Sequence, residues 1–205
     1  KALRAASVAG CIEFDLVVDG EKLSIYHPPA TATGFELEHI FAIASSRKNK
    51  LWIDSKNLNK PAACQKLLKY LETNRRRVGE ILVEFPESSV QNINELNSCA
   101  INLRKLEVRT SYYVPKQLLL RCARDLAMNN ADCLSLNSVL QQAIQSGIFT
   151  DLSFDFLGYN VMQKMKGADK LTWNTWAVNP MEFHKFPRHD FRYIIMDTST
   201  DPNTY

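Results

Sequence analysis

The chain has 205 residues, 45% hydrophobic and 23% charged, which is enough for one domain with a real core and close to globular averages. Its 25 basic and 22 acidic residues leave a net charge of +3, too small to argue for nucleic acid or an anionic membrane surface as partner. No apolar run is long enough to span a bilayer, so no transmembrane segment is expected.

Residues 1–9 have helical composition and Gly10 closes them. They read as the later part of a helix, so a preceding segment is expected upstream of Lys1. Residues 11–18 and 22–27 are predicted strands joined by a tight Asp19-Gly20 turn. After the Thr33-Gly34 turn, Leu37 to Ser46 fits a helix with Leu37, Ile40, Phe41 and Ala44 inward. Leu51 to Lys56 is a short apolar strand. Pro61 opens a helix through Leu67, Leu68 and Leu71 to Arg75-Arg76-Arg77. That basic run, like Arg47 to Lys50, falls where a helix should end, and cations suit helix C-termini.

Glu80 to Phe85 is the next strand, stopped by Pro86, and Asn92 to Leu103 the next helix. Val108 to Val114 is β-branched and aromatic, hence a strand. Lys116 to Met128 is helical with Leu118, Leu119, Cys122 and Leu126 inward, residues 129–132 form a loop, and Ser138 to Ser146 is a helix closed by Gly147. Leu152 to Phe156, Leu171 to Val178 and Tyr193 to Met196 are strands, with a short helix over Asn160 to Lys166. Met181 to His189 is poorly helical, and the polar tail from Asp197 to Tyr205 trails over the surface. Five cysteines (Cys11, Cys64, Cys99, Cys122, Cys133) are scattered without a CxxC, and an odd number cannot pair completely. On apolar faces, reduced thiols behave as small hydrophobes. A reducing compartment is therefore expected, with one or two disulfides in a secreted protein as the alternative.

Strand and helix alternate with short connections, which argues for an α/β fold with a parallel sheet covered by helices. There are seven main strands (11–18, 51–56, 80–85, 108–114, 152–156, 171–178 and 193–196), with 22–27 an extra excursion. The expected fold is one TIM-type (β/α)8 barrel domain over residues 1–205, its first strand lying upstream of Lys1. The alternative is an open doubly wound sheet, whose usual glycine-rich phosphate loop is absent.

Barrel chemistry sits at the C-terminal ends of strands. Glu13 and Asp15 are two apart and share one strand face. Like charges so close call for a cation or a proton, and a hard divalent cation, Mg²⁺ or Ca²⁺, prefers oxygen ligands. The bland alternative is a solvated edge strand. The 22–27 strand delivers His27, held by Pro28-Pro29. Asp54 and Lys56 again share a face, as a site or as a structural ion pair. Three carboxylates, an imidazole and an ammonium suit phosphoryl chemistry: the acids hold the cation, Lys56 and the cation neutralise phosphate oxygens, and His27 serves as general acid or base.

Ile12-Glu-Phe-Asp15, Asp19-Gly20-Glu21 and His27 resemble the signature of the glycerophosphodiester phosphodiesterases, barrel enzymes of the PLC-like phosphodiesterase superfamily. Trp52-Ile-Asp-Ser-Lys56 resembles the strand where that family carries Glu-x-Lys, in the Asp-x-Lys form of the sphingomyelinase D branch. His27-Pro28-Pro29 followed by a Leu-rich helix and Asp-x-Lys-Asn is similar to the menorin-like proteins. Thr172 to Asn179 resembles the family's Trp-Thr-Val-(Asn/Asp) strand, and Phe191 to Thr198 its closing strand. The resemblance implies a metal-dependent hydrolase of a small-molecule or lipid-headgroup phosphodiester, a glycerophosphodiester or lysophospholipid. Glu13, Asp15 and Asp54 would be metal ligands, His27 a catalytic histidine and Lys56 a catalytic, phosphate-binding cation. Trp176 and Asn179 would line the substrate pocket. The family's other catalytic histidine falls before Lys1, and His27-Pro28 stands where the family has His-Asp. A catalytically inactive member, serving binding or protein interaction, is the alternative.

Other candidates carry weaker signals. His39 is expected on a helix surface, and His184 and His189 in a loop. Glu84 and Asp155 would join the site if they face inward, and Arg109 would meet an anion or pair with Glu107. Trp173 and Trp176, three apart, should take opposite faces, with Trp176 inside. No Gly-x-Ser-x-Gly supports serine catalysis.

Overall fold

The computed structural model describes residues 10–32, 34–124, 128–178 and 187–196. The helix expected over residues 1–9, Leu126, Asn179, His184 and the tail from Asp197 lie outside them. Eight strands are described: β1 (Cys11–Asp19), β2 (Lys22–Ile25), β3 (Lys50–Ser55), β4 (Ile81–Phe85), β5 (Val108–Tyr113), β6 (Asp151–Asp155), β7 (Thr172–Val178) and β8 (Phe191–Met196). Six α-helices accompany them: α1 (Leu37–Ser45), α2 (Pro61–Asn74), α3 (Ile93–Lys105), α4 (Lys116–Arg124), α5 (Ala131–Ser146) and the single turn α6 (Tyr159–Met162).

The strands form a mixed sheet in the order β2-β1-β3-β4-β5-β6-β7-β8. This corrects the expectation of a (β/α)8 barrel. A closed barrel has no edges, whereas this order has ends at β2 and β8. The physical reason lies in the hairpin. Leu16 of β1 pairs with Ser55 of β3 on one side and with Ile25 of β2 on the other. The 22–27 strand, expected as an excursion outside the main strands, is therefore a member of the sheet. It runs antiparallel and takes up the edge that closure would need. The doubly wound alternative is also not observed, because β3 to β8 follow in sequence order without a reversal.

By its contacts the chain divides into two compact units, Lys1–Ser111 and Tyr112–Tyr205. In the first, parallel pairing in register aligns Ile12 with Leu51 and Ile81, and Phe14 with Ile53 and Val83. All six are buried, forming one apolar sheet face. Helix α1 buries Leu37, Ile40, Phe41 and Ala44, as the 3.6-residue spacing predicts. A disulfide between Cys64 and Cys99 ties α2 to α3. Gly79 is a close-approach position: a Cβ there would lie 2.4 Å from the Lys48 carbonyl oxygen. The basic run is structural. Arg77 grips Glu38 with two hydrogen bonds of 2.8 and 2.6 Å, and Arg75 donates to the Gly79 carbonyl. Beyond β2, Ile25 N–H donates to Phe35 O at 2.8 Å and Ser24 bridges to Glu36.

In the second unit, Leu152 and Phe154 of β6 align with Trp173 and Thr175 of β7. Phe154, Trp173, Phe191 and Tyr159 form an aromatic cluster. Trp176 aligns with Asp155 on the opposite face and stacks on Tyr113 at 5.1 Å. The two tryptophans thus take opposite faces, as their spacing requires. Helix α5 starts at Ala131, seven residues before the expected Ser138, because Asn130 caps it by accepting the Cys133 N–H at 2.7 Å. Cys133 is bonded to Cys122 of α4. Four of the five cysteines are thus paired and only Cys11 is free. Two disulfides are the alternative to the reduced thiols expected from the sequence.

Candidate functional site

The site lies in the first unit and is built by strand register. Along β1, Glu13 and Asp15 alternate with the apolar residues that face the other way. In the parallel ladder Asp15 stands beside Asp54, and Asp54 beside Glu84. One row across three strands therefore carries three acids on a common face. Glu13, one step back, stands beside the buried Trp52. Carboxylate oxygens of Glu13, Asp15 and Asp54 all lie within 4.8 Å of one another.

Lys56 closes this row. Its ammonium nitrogen lies 2.7 Å from Asp15 Oδ1 and 2.6 Å from Asp54 Oδ2. Its backbone is held because Lys56 N–H donates to Leu16 O at 2.9 Å. The next residue, Asn57, continues the ladder with its side chain. Its Oδ1 accepts from Val18 N at 3.0 Å and its Nδ2 donates to Val18 O at 2.8 Å. An amide side chain thus mimics one more strand residue and fixes the end of β3 against β1. Asn57 is the last residue of the Asp-x-Lys-Asn motif, but its role in closing the ladder is not legible from that motif. Glu84, whose facing was undecided in the sequence, is 2% exposed and shares the Asp54 face.

The electrostatics follow from crowding. Glu13 reaches solvent at its edge, yet loss of hydration, then Asp15 and Asp54, push its carboxyl up to about 7, with Lys56 opposing. The Asp54 carboxyl is also raised, first by burial, with Lys56 pulling it down and Asp15 pushing it up. Burial alone would lower Lys56, but Asp54 and Asp15 overcome it and hold the ammonium protonated above its ordinary range. His27 follows β2 and is exposed, and its charge is the weakest of the influences on the Asp54 carboxyl, opposing the rise that burial causes.

Three carboxylates on two adjacent strands offer oxygen donors of the kind that Mg²⁺ or Ca²⁺ takes, about half of the ligands such an ion needs. The donor type therefore fits a hard divalent cation. A pH dependence follows. A proton on Glu13 competes with a cation, so Ca²⁺ affinity is expected to rise by roughly tenfold per pH unit below about pH 7 and to level off above it. Calorimetric titrations between pH 5.5 and 8.5 check this, and Glu13→Gln should flatten the profile. In the metal-free protein the sign is reversed. A carboxyl raised by folding supports stability most below the ordinary value of 4.5, and that support is lost as pH climbs through about 7.

The structure thus brings Glu13, Asp15, Asp54 and Lys56 together, and leaves His27 exposed after β2 with no hydrogen bond or ion pair to them. Trp176 belongs to the second unit and Asn179 lies outside the described residues. His39 is exposed and caps α1, its Nδ1 accepting the Glu36 N–H at 3.0 Å. His189 is exposed beside Asp190, and Asp155 is fully buried, paired with Lys116 at 2.9 Å. A cavity of about 810 Å³ in the second unit, lined by Met165, Trp173, Phe191 and the weaker candidate His189, holds none of the residues expected to bind metal or substrate. Among the described residues, no helix is long and apolar enough to cross a membrane. The chain matches no protein-family model and no curated protein.

Proposed function

We propose that this site belongs to a metal-dependent phosphodiesterase acting on a glycerophosphodiester or a lysophospholipid-type substrate. The observation that carries the reading is the convergence of Glu13, Asp15 and Asp54 within 4.8 Å, with Lys56 against two of them. Glu13, Asp15 and Asp54 would hold Mg²⁺ or Ca²⁺. When bound, the cation would draw electron density from the phosphoryl oxygens and stabilise charge building on them. Lys56 supplies a second positive charge to a non-bridging oxygen. His27 moves a proton, taking one from an attacking hydroxyl of the substrate or returning one to the leaving oxygen. A neighbouring substrate hydroxyl as nucleophile would give a cyclic phosphate. The resemblance of Ile12 to Asp15, His27 and Asp54-x-Lys56 to the glycerophosphodiester phosphodiesterase signature supports the same chemistry.

One observation favours a second reading, a cation-binding module that does not catalyse. His27 is exposed and is followed by Pro28 and Pro29 rather than by an acid, and among the described residues no hydrogen bond or ion pair orients its ring. A single experiment separates the two. The protein is incubated with a chromogenic phosphodiester and with lysophosphatidylcholine in the presence of Mg²⁺ or Ca²⁺, and chelator is added in parallel. Hydrolysis that chelator stops and that His27→Ala reduces by at least about a hundredfold is the expected result. Cation binding without turnover of either substrate points to the binding module. Activity unchanged in His27→Ala removes the histidine from the reaction.

A further inference from the structure

The acids of this site already have a cation among them. The Lys56 ammonium touches Asp15 Oδ1 and Asp54 Oδ2 at 2.7 and 2.6 Å. A divalent ion ligated by the same carboxylates would stand about 2.0–2.6 Å from its oxygens, in the space that the ammonium fills or directly beside it. Placing a double positive charge there next to an ammonium is strongly repulsive, since charges a few ångströms apart interact appreciably even with the screening of water. The two cations therefore exclude each other.

Taking the metal-binding reading of these acids as given, we propose that Lys56 is a tethered competitor for the divalent cation. In the metal-free protein its ammonium neutralises Asp15 and Asp54, and cation binding drives it off them. The fold permits this exchange with little rearrangement. The Lys56 backbone is fixed by its hydrogen bond to Leu16 O, and the Asn57 amide locks the following residue to Val18. Only the flexible stem of the lysine has to move. The displaced ammonium stays at the site on its tether and faces outward, where an incoming anion meets it. The same side chain thus guards the acids when the site is empty and becomes available to a phosphate once the cation is in place. Because linkage is reciprocal, an anion that draws Lys56 away also strengthens cation binding.

The test is a Ca²⁺ titration by calorimetry at pH 8, without substrate, on the full chain and on Lys56→Met and Lys56→Arg. Lys56→Met is expected to bind Ca²⁺ about tenfold more tightly or better, because a competing unit charge is gone. Lys56→Arg, which keeps the charge and can bridge two carboxylates, is expected to bind no more tightly than the parent protein. A lysine that serves phosphate alone would leave Ca²⁺ affinity unchanged in Lys56→Met. That outcome overturns the proposal and leaves the metal site standing. Absence of Ca²⁺ binding in both the parent protein and Lys56→Met overturns both. Should Lys56→Met not fold, the parent protein decides. The Lys56 ¹⁵Nζ resonance is expected to shift in step with Ca²⁺ occupancy, and a resonance unmoved at saturation refutes the displacement.

Discussion

Asp54→Asn is expected to weaken Ca²⁺ or Mg²⁺ binding by about a hundredfold or more while the protein stays folded. Asp54 stands in the middle of the acid row, between Asp15 and Glu84 in the strand register. Asparagine keeps the shape and one oxygen but removes the charge that a hard cation seeks. The same substitution has a different effect on the metal-free chain. The Asp54 carboxyl is raised by burial, so its charge is disfavoured there, and Lys56 retains Asp15 as a partner at 2.7 Å. Stability without metal should therefore hold or rise slightly. With Ca²⁺ at 100 times its dissociation constant, the parent protein gains about 2.7 kcal/mol and the variant little. Thermal unfolding with and without Ca²⁺ reads both effects. A variant that keeps the parent's full Ca²⁺-induced shift would remove Asp54 from the ligand set.

The second large effect is expected from the covalent tie between α2 and α3. Replacing both Cys64 and Cys99 by alanine should lower stability by about 4 kcal/mol, because a bond across 35 residues removes much loop-closure entropy from the unfolded chain. The bridge between Cys122 and Cys133 spans only 11 residues and should contribute less, about 3 kcal/mol. The ordering of the two is the sharper part of the expectation, since it depends on loop length alone. Urea unfolding of the two double variants measures it. Equal midpoints for the parent protein and Cys64→Ala/Cys99→Ala would refute the first value. A loss this large exceeds what most surface substitutions cause and approaches the margin by which small domains stay folded.

Periodicity made most elements legible. The four inward residues of α1 follow from helical spacing alone, and each strand was located to within a few residues. The facing of Glu13 with Asp15, and of Trp173 against Trp176, also follows from the two-residue repeat. What the pattern could not supply was pairing. The Asp19-Gly20 turn does pair Lys22–Ile25 with β1, but an alternating run fits equally well beside any neighbour, so nothing showed that this hairpin would end the sheet. Register was hidden for the same reason, and register is what sets Glu84 beside Asp54. Cysteine partners depend on which helices lie side by side, which spacing does not reveal. The start of α5 was missed although Asn130, a favoured helix cap, marked it.

The short bridge from Ser24 to Glu36 and the bond from Ile25 to Phe35 have a consequence for behaviour in solution. A sheet with ends exposes rows of unpaired amides, and such rows recruit strands from other molecules into aggregates and fibrils. Beside β2 that row is engaged from within the chain, by a loop folded back onto it and leading into α1. The hairpin that prevents closure on this side thus comes with its own guard against self-templated assembly. Substitutions in residues 35–36 would then be felt first in colloidal stability.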